Sequence, residues 1–264
     1  MTTPPVVDAG LDARRRPRHT KPSGGRLLAL AAVVLAVAVP ALAGAEPGPY
    51  YFTLYLQQSW PKQTATNAQI QQINDLFGTR FDDWSDVANL SLGAQLFKRV
   101  SPHWKVGLQL DYSQGGIKGS ATVPTEAGPA NLAFEQRYGT YADLYVVAHY
   151  LPCPSCTRIV PFLYGGGGFG YEKDRTTLTL SNEVIDQGLQ VDNDGWFPTF
   201  SVGAGVDVPL SSTSAWYAEF GGAYVWARMT HTVPASGALA PGPEVTADTD
   251  FTGPNVWIGI GRRF

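Results

Sequence analysis

The stretch P-N-V-W-I-G-I-G-R-R-F, from Pro254 to Phe264, decides the fold of this chain. Its side chains alternate in character with a period of two residues. Val256, Ile258 and Ile260 share one parity, whereas the other parity carries small, polar or indole side chains. Successive side chains of a β-strand point to opposite faces, so the stretch predicts a strand with one apolar face.

The same alternation recurs along the chain and predicts eight strands. They cover residues 49–58, 86–97, 104–113, 138–150, 159–171, 196–209, 215–228 and 254–264. The gaps alternate between long (59–85, 114–137, 172–195, 229–253) and short (98–103, 151–158, 210–214). This rhythm predicts an all-β fold, an eight-stranded antiparallel transmembrane β-barrel with long extracellular loops and short periplasmic turns. A soluble β-sandwich would not explain why every second gap is long.

The N-terminal segment has the order of a secretory signal peptide. Six bases lie between Arg14 and Arg26 without an acid, and residues 27–43 carry no charge. Small residues around Ala43 and Ala45 fit a cleavage site, which favours a cleaved signal peptide over residues 1–45 rather than a membrane anchor. Residues 46–264 then form the barrel domain, with 13 bases against 20 acids. Such an acidic chain argues against a nucleic-acid partner.

Aromatic residues collect at the ends of the predicted strands and predict two belts at the membrane interfaces. The periplasmic belt would contain Tyr50, Phe97, Trp104, Tyr150, Phe162, Trp216 and Phe264. The outer belt would contain Trp60, Tyr112, Tyr138, Tyr171, Trp196 and Trp226.

Polar residues of the opposite parity point into the predicted barrel. We expect Lys105, Asp111, Asp143, Asp207, Glu219 and Arg263 to form an internal network of ion pairs and waters, because buried charges need partners. An eight-stranded barrel is just wide enough to be filled by its own side chains. The sequence therefore predicts a mostly plugged lumen.

Several stretches together resemble a known family. They are V-P-F-L-Y-G-G-G-G-F-G-Y-E at residues 160–172, F-S-V-G-A-G-V-D-V-P-L-S-S-T-S-A-W-Y-A-E-F-G-G-A-Y-V-W-A-R at 200–228 and V-W-I-G-I-G-R-R-F at 256–264. They resemble the small bacterial outer-membrane barrels of the OmpA transmembrane-domain and OmpW type. The resemblance implies residence in the lipid bilayer of the outer membrane, beside lipopolysaccharide. It also implies that Phe264 is an assembly signal read by the outer-membrane assembly machinery, and the OmpW branch implies passage of small hydrophobic molecules.

The pair Cys153 and Cys156 lies in a predicted periplasmic turn. In an oxidising compartment a C-x-x-C favours a small disulfide. Free thiols are an alternative, as is a redox site or a metal site completed by His103 and His149. The helix that a redox motif would open is not predicted here.

The long loops are acidic, with 14 acids and 6 bases. They are predicted to carry contacts with an unidentified extracellular partner, or with divalent cations that bridge lipopolysaccharide, although a solvated surface has the same composition. Residues 192–195, D-N-D-G, superficially resemble a calcium loop but lack its spacing, so we expect a turn.

No catalytic residue, cofactor or metal site is predicted. A lipid hydrolase would need a Ser with a His base, and none of His103, His149 and His231 stands in such a pattern. We therefore expect a non-enzymatic outer-membrane barrel with a structural or surface-interacting role. The alternatives are a narrow, porin-like conduit for small or hydrophobic solutes and, less favoured, a lipid-modifying enzyme.

Overall fold

The computed structural model describes residues 50–84, 89–211 and 214–264, which form nine strands and one helix. In chain order they are β1 Tyr50–Ser59, α1 Thr64–Phe77, β2 Asn89–Ser101, β3 Trp104–Thr125, β4 Gly128–Tyr150, β5 Val160–Ser181, β6 Asp186–Pro209, β7 Trp216–Ser236, β8 Glu244–Asp250 and β9 Gly253–Arg263. The segment interpreted as a signal peptide, residues 1–45, lies outside the described residues. In the part of the chain that is described, no helix has the length and apolarity needed to cross a bilayer.

Eight of the strands close into an antiparallel ring, as the sequence predicts. Neighbours from β1 to β7 pair in chain order, and β9 pairs with both β7 and β1. At the seam, the Tyr50 N–H donates to the Phe264 carbonyl at 3.1 Å and the Phe264 N–H donates back at 3.0 Å. The short strand β8 is not a ring member, because it pairs only with the outer part of β7. The ring therefore has no free edge in the half that contains the Tyr50–Phe264 seam, which is called the lower half below.

The long loops of the prediction are largely strand. Apart from one bulge, β3 and β4 pair continuously up to Thr125, which faces Gly128. β5 and β6 pair continuously up to Ser181, which faces Asp186. The interpretation of residues 114–137 and 172–195 as loops is therefore wrong. So is the turn predicted at D-N-D-G, since Asp192 pairs with Arg175 in the middle of a hairpin. These hairpins continue the ladder beyond the apolar band, where the outward side chains become polar.

The outward face of the ring carries an apolar band between two sets of aromatic side chains. Its exposed members include Leu90, Leu92, Leu96, Leu108, Leu144, Val146, Leu163, Phe169, Phe200, Val202, Phe220, Ile258 and Ile260. Trp104 and Trp216 mark one limit of the band, and Trp196 and Trp226 mark the other. Such a band matches a lipid environment.

Three predicted belt residues point inward instead of outward. Phe97 and Phe162 are 1% exposed and Tyr138 is 3% exposed. Each lies on the parity of its strand that faces the ring interior, beside the buried Gln95, Tyr164 and Gln136. Their aromatic character and position near strand ends predict a place in the belts, whereas their parity places them in the core.

The part of the molecule beyond Trp196 and Trp226, here called the outer extension, has a hydrophobic core of its own. The helix α1 crosses the gap between β1 and β2, begins after Gln63 and ends at Gly78, whose φ of 64° suits glycine. Its Ile70 belongs to a buried cluster that also contains Phe81, Trp84, Ile117, Val123, Leu132, Phe134 and Tyr138. The outer extension is therefore folded and not a set of independent loops.

Candidate functional site

The lower half of the lumen contains one buried ion pair. The ammonium of Lys105 lies 2.5 Å from the Asp207 carboxylate, and both side chains are less than a tenth exposed. The same ammonium lies 4.4 Å from the ring centre of Tyr51. Because the carboxylate and the aromatic face both attract the cation, Lys105 is fixed across the lumen.

The other predicted network carboxylates are satisfied mainly by neutral donors. Glu219 accepts hydrogen bonds from the Trp257 indole at 2.8 Å and from Thr53 at 3.3 Å. Asp111 accepts one from Gln109 at 2.7 Å and one from Tyr55. Hydroxyl, amide and indole groups therefore replace most of the ion pairs that the sequence suggested.

Asp143 and Arg263 differ further from the expected network. Asp143 lies directly across from Asp111 in the β3–β4 ladder, and Tyr145 reaches it only at 3.4 Å. Arg263 is exposed at the periplasmic mouth, where its N–H donates to the Ala215 carbonyl. The prediction that Arg263 joins the buried network is wrong, because this residue lies at the open end of the ring beside Tyr51.

Aromatic rings fill the remaining space of the lower lumen. The His149 ring lies between Phe97, at 4.2 Å between ring centres, and Phe162, at 4.1 Å. We call the buried group that blocks this half the lumen plug; it comprises Tyr51, Tyr55, Phe97, Lys105, Tyr145, His149, Phe162, Tyr164, Asp207, Tyr217, Glu219 and Trp257. Glycines on neighbouring strands make room for these rings, as Gly221 does under the indole of Trp257.

The upper lumen holds a small polar cavity. Its walls include Gln109, Asp111, Asp143, Tyr145 and Asn255, and about 40 Å³ is open to the centres of water molecules. A single water needs about 10–15 Å³ by this measure, so a few waters fit and a larger solute does not.

The cysteines at the periplasmic end form a disulfide. Cys153 and Cys156 are joined in the turn between β4 and β5, with their Cα atoms 5.4 Å apart. His103 bonds the Leu151 carbonyl and His149 lies inside the lumen plug. The structure therefore does not assemble the metal site that the sequence left open.

The outer extension contains a buried acidic pair in a segment that the sequence pattern predicts to be a loop. Glu172 is fully buried and Asp174 is 6% exposed, and both point inward from β5. Their neighbours Lys173 and Arg175 point outward, where Arg175 contacts Asp192 at 2.6 Å. The run E-K-D-R thus alternates acid and base with the period of a strand, and this signal was available in the sequence.

The acidic pair lies beside a cleft between β6 and β7. Within the described chain, residues 192–198 of β6 do not pair with residues 228–234 of β7, although the two strands pair on either side of this gap. Asp174, Asn193 and His231 line the resulting cleft of about 420 Å³. On the exposed side, the Arg228 guanidinium donates to Asp248 and thereby lowers the pKa of that carboxyl.

Comparison with known proteins agrees with this architecture. Residues 29–264 match the family model described as the outer membrane protein beta-barrel domain. No curated protein sequence matches the chain.

Several solved structures are similar in fold. The attachment invasion locus protein Ail of Yersinia pestis is 14% identical with a TM-score of 0.38, over 83% of this chain and 100% of Ail. OprG from Pseudomonas aeruginosa is 15% identical with a TM-score of 0.40, over 83% of this chain and 98% of OprG. The outer membrane protease OmpT from Escherichia coli is 7% identical with a TM-score of 0.40, over 84% of this chain and 100% of OmpT.

The closed ring, the apolar band and the family match lead to one conclusion. This chain belongs to the outer membrane protein beta-barrel domain family, and the protein is located in the bacterial outer membrane.

Proposed function

We propose that this barrel is a non-conducting, non-enzymatic membrane anchor whose outer extension binds a basic macromolecule at the cell surface. The observation that carries the proposal is the hydrophobic core beneath α1, because a core holds the surface of the outer extension in one shape. A preformed surface loses less conformational entropy on binding than a flexible loop does.

The charge of this surface indicates the class of partner. Exposed acids lie at the ends of three hairpins, at Glu126, at Glu183 and Asp186, and at Glu244. Without the buried Glu172 and Asp174, the acids of the four predicted loop regions outnumber the bases 12 to 6. A surface with this excess attracts cationic partners and repels acidic ones. Lipopolysaccharide would adjoin the lower part of the extension, and the assembly machinery would act on the strand that ends at Phe264.

The binding role is tested with polylysine as the basic probe. The protein, folded in neutral detergent, is expected to bind immobilised polylysine, and the variant E126Q/E183Q/D186N/E244Q is expected to lose most of that binding. The variant K118Q/R137Q removes exposed bases from the same extension and serves as the control, with binding equal to or stronger than that of the natural protein. Equal retention of all three proteins would contradict the proposal.

A conduit for small solutes is the second candidate, and the interrupted β6–β7 ladder is the observation in its favour. The cleft at that interruption is lined by charged and polar side chains, including Lys173, Asp192 and Asp194. This lining suits hydrophilic solutes better than apolar ones. Single-channel recording separates the candidates: we expect a silent bilayer for the folded protein, and reproducible discrete openings would make the conduit the better account.

A further inference from the structure

The buried acidic pair of the outer extension has no positive partner within the described residues. Neither oxygen of Glu172 makes a hydrogen bond of good geometry, and Asp174 and Thr249 are its polar neighbours. Asp174 accepts one hydrogen bond from Gln136 at 3.1 Å. Two buried carboxylates in contact are unstable when both are ionised, so the site needs a proton or a cation.

A second, independent feature of the site points to a cation. Asn193 lies directly across from Asp174 in the β5–β6 ladder and is 4% exposed. Its amide nitrogen donates to Thr249 at 3.2 Å, whereas its carbonyl oxygen has no partner within the described chain. The Asn193 side chain also hydrogen-bonds Asp174, so a buried amide oxygen without a partner lies at the edge of the acidic pair.

The chemistry of the donors identifies the class of cation. Every group named would offer an oxygen atom to a metal ion. These groups are the carboxylates of Glu172 and Asp174, the amide of Asn193 and the hydroxyl of Thr249. Hard divalent cations prefer such ligands. Softer transition metals prefer the nitrogen and sulfur ligands of His and Cys, and none of these four groups supplies one.

We infer that the outer extension binds one calcium ion through Glu172, Asp174 and Asn193, with Thr249 at its edge. Calcium accepts irregular sets of six to eight oxygens, whereas magnesium demands near-ideal octahedral geometry. The cleft between β6 and β7 gives the ion and its waters access from the extracellular side.

The inferred ion would join three strands. Glu172 and Asp174 belong to β5, Asn193 to β6 and Thr249 to β8. These strands meet where β6 and β7 are not paired. The ion would therefore link β5, β6 and β8 in the part of the outer extension where β6 and β7 are not hydrogen-bonded to each other.

The test measures terbium luminescence of the full chain folded in octyl glucoside at pH 7.5. Trp84 donates to Gln136, which donates to Asp174, so the indole is well placed to sensitise a bound lanthanide. We expect saturable emission that calcium displaces with a dissociation constant of roughly 0.1–1 mM. Magnesium is expected to compete at least about tenfold more weakly, since its geometry fits the site less well.

The variants locate the ion. E172Q/D174N is expected to weaken binding at least about tenfold, as neutral amides are poorer calcium ligands. E183Q/D186N removes the same types of charge from the exposed tip of the same hairpin and should bind calcium as the natural protein does. This control also separates the calcium site from the proposed binding of basic partners, which E183Q/D186N should weaken.

A second variant keeps the inference testable if E172Q/D174N does not fold. N193D adds a carboxylate, so it should tighten calcium binding and fold best with calcium present. Absence of saturable binding, equal binding by E172Q/D174N, equal competition by magnesium, or an N193D protein that is indifferent to calcium would each overturn the calcium assignment.

Discussion

The ammonium of Lys105 and the carboxylate of Asp207 meet at 2.5 Å across the lumen, from strands β3 and β6. Replacing Lys105 by Met should leave Asp207 buried without its partner near Glu219, which also carries a buried carboxyl. We expect a loss of about 3–5 kcal/mol in the free energy of unfolding. Urea unfolding in lipid vesicles measures this loss.

Two variants control that experiment. The double variant K105M/D207N should recover a large part of the lost stability, because no unpaired charge remains. R175M removes an exposed partner of Asp192 and should cost less than about 1 kcal/mol. If K105M were as stable as R175M, the internal ion pair would have no structural role.

The indole of Trp257 covers Gly221, leaving no room for a methyl group there. Gly221→Ala should displace the ring from Glu219 and cost about 1–3 kcal/mol. The matched change Gly165→Ala meets no heavy atom within 4 Å and should be close to neutral. Thermal unfolding followed by near-ultraviolet circular dichroism measures both effects; similar melting temperatures for the two variants would contradict this packing.

The disulfide of Cys153 and Cys156 closes a very short loop. Removing it in C153S/C156S should cost about 2 kcal/mol at most, since the entropy of closing so small a loop is small. The barrel should still form, as judged by its altered mobility in cold SDS. A failure to form the barrel would assign the disulfide a role in folding that its position does not suggest.

In the presence of a chelator, the outer extension should lose stability as pH rises. Burial raises the pKa of both Glu172 and Asp174, so the folded protein holds more protons than the unfolded chain above about pH 4. The stabilising contribution of the protonated pair is present below that pH and is lost as pH rises through about 6 for Asp174. Hydrogen exchange of β5 amides at pH 4.5 and 7.5 measures the change.

The comparison with E172Q/D174N isolates the acidic pair from other groups that titrate. Tyr138, Asp192 and His231 also face the pair or line its cleft, but they are unchanged in that variant. The difference in protection between the two proteins should therefore shrink at low pH. A difference that does not vary with pH would exclude the pair as its source.

The strands within the membrane could be predicted because lipid imposes an apolar outward parity. Leu90, Leu92 and Leu96 of β2 show it directly, and all are exposed. Beyond the belt the outward positions become polar, as at Lys173 and Arg175, so the apolar signal ends although the strand continues. This is why the hairpins were interpreted as loops.

The partners inside the barrel could not be predicted from parity. Parity placed Lys105 and Asp207 on the inner face, but their contact depends on the register of strands that are not neighbours. Arg263 shares that parity yet lies at the open mouth, because height along the barrel also decides burial. The acidic pair of Glu172 and Asp174 is not predicted because the apolar signal of β5 ends at the belt, before the part of the strand that carries the pair.

The seam between Tyr50 and Phe264 has a consequence for the order of folding. Most ring pairings join consecutive strands through a turn, but β1 pairs with β9 from the far end of the described chain. Contacts between distant segments form slowly, because the intervening chain must first lose its freedom. Until this last pairing forms, β1 and β9 each present an open edge to other chains. Closure of the seam is therefore the step at which aggregation competes most directly with insertion into the membrane.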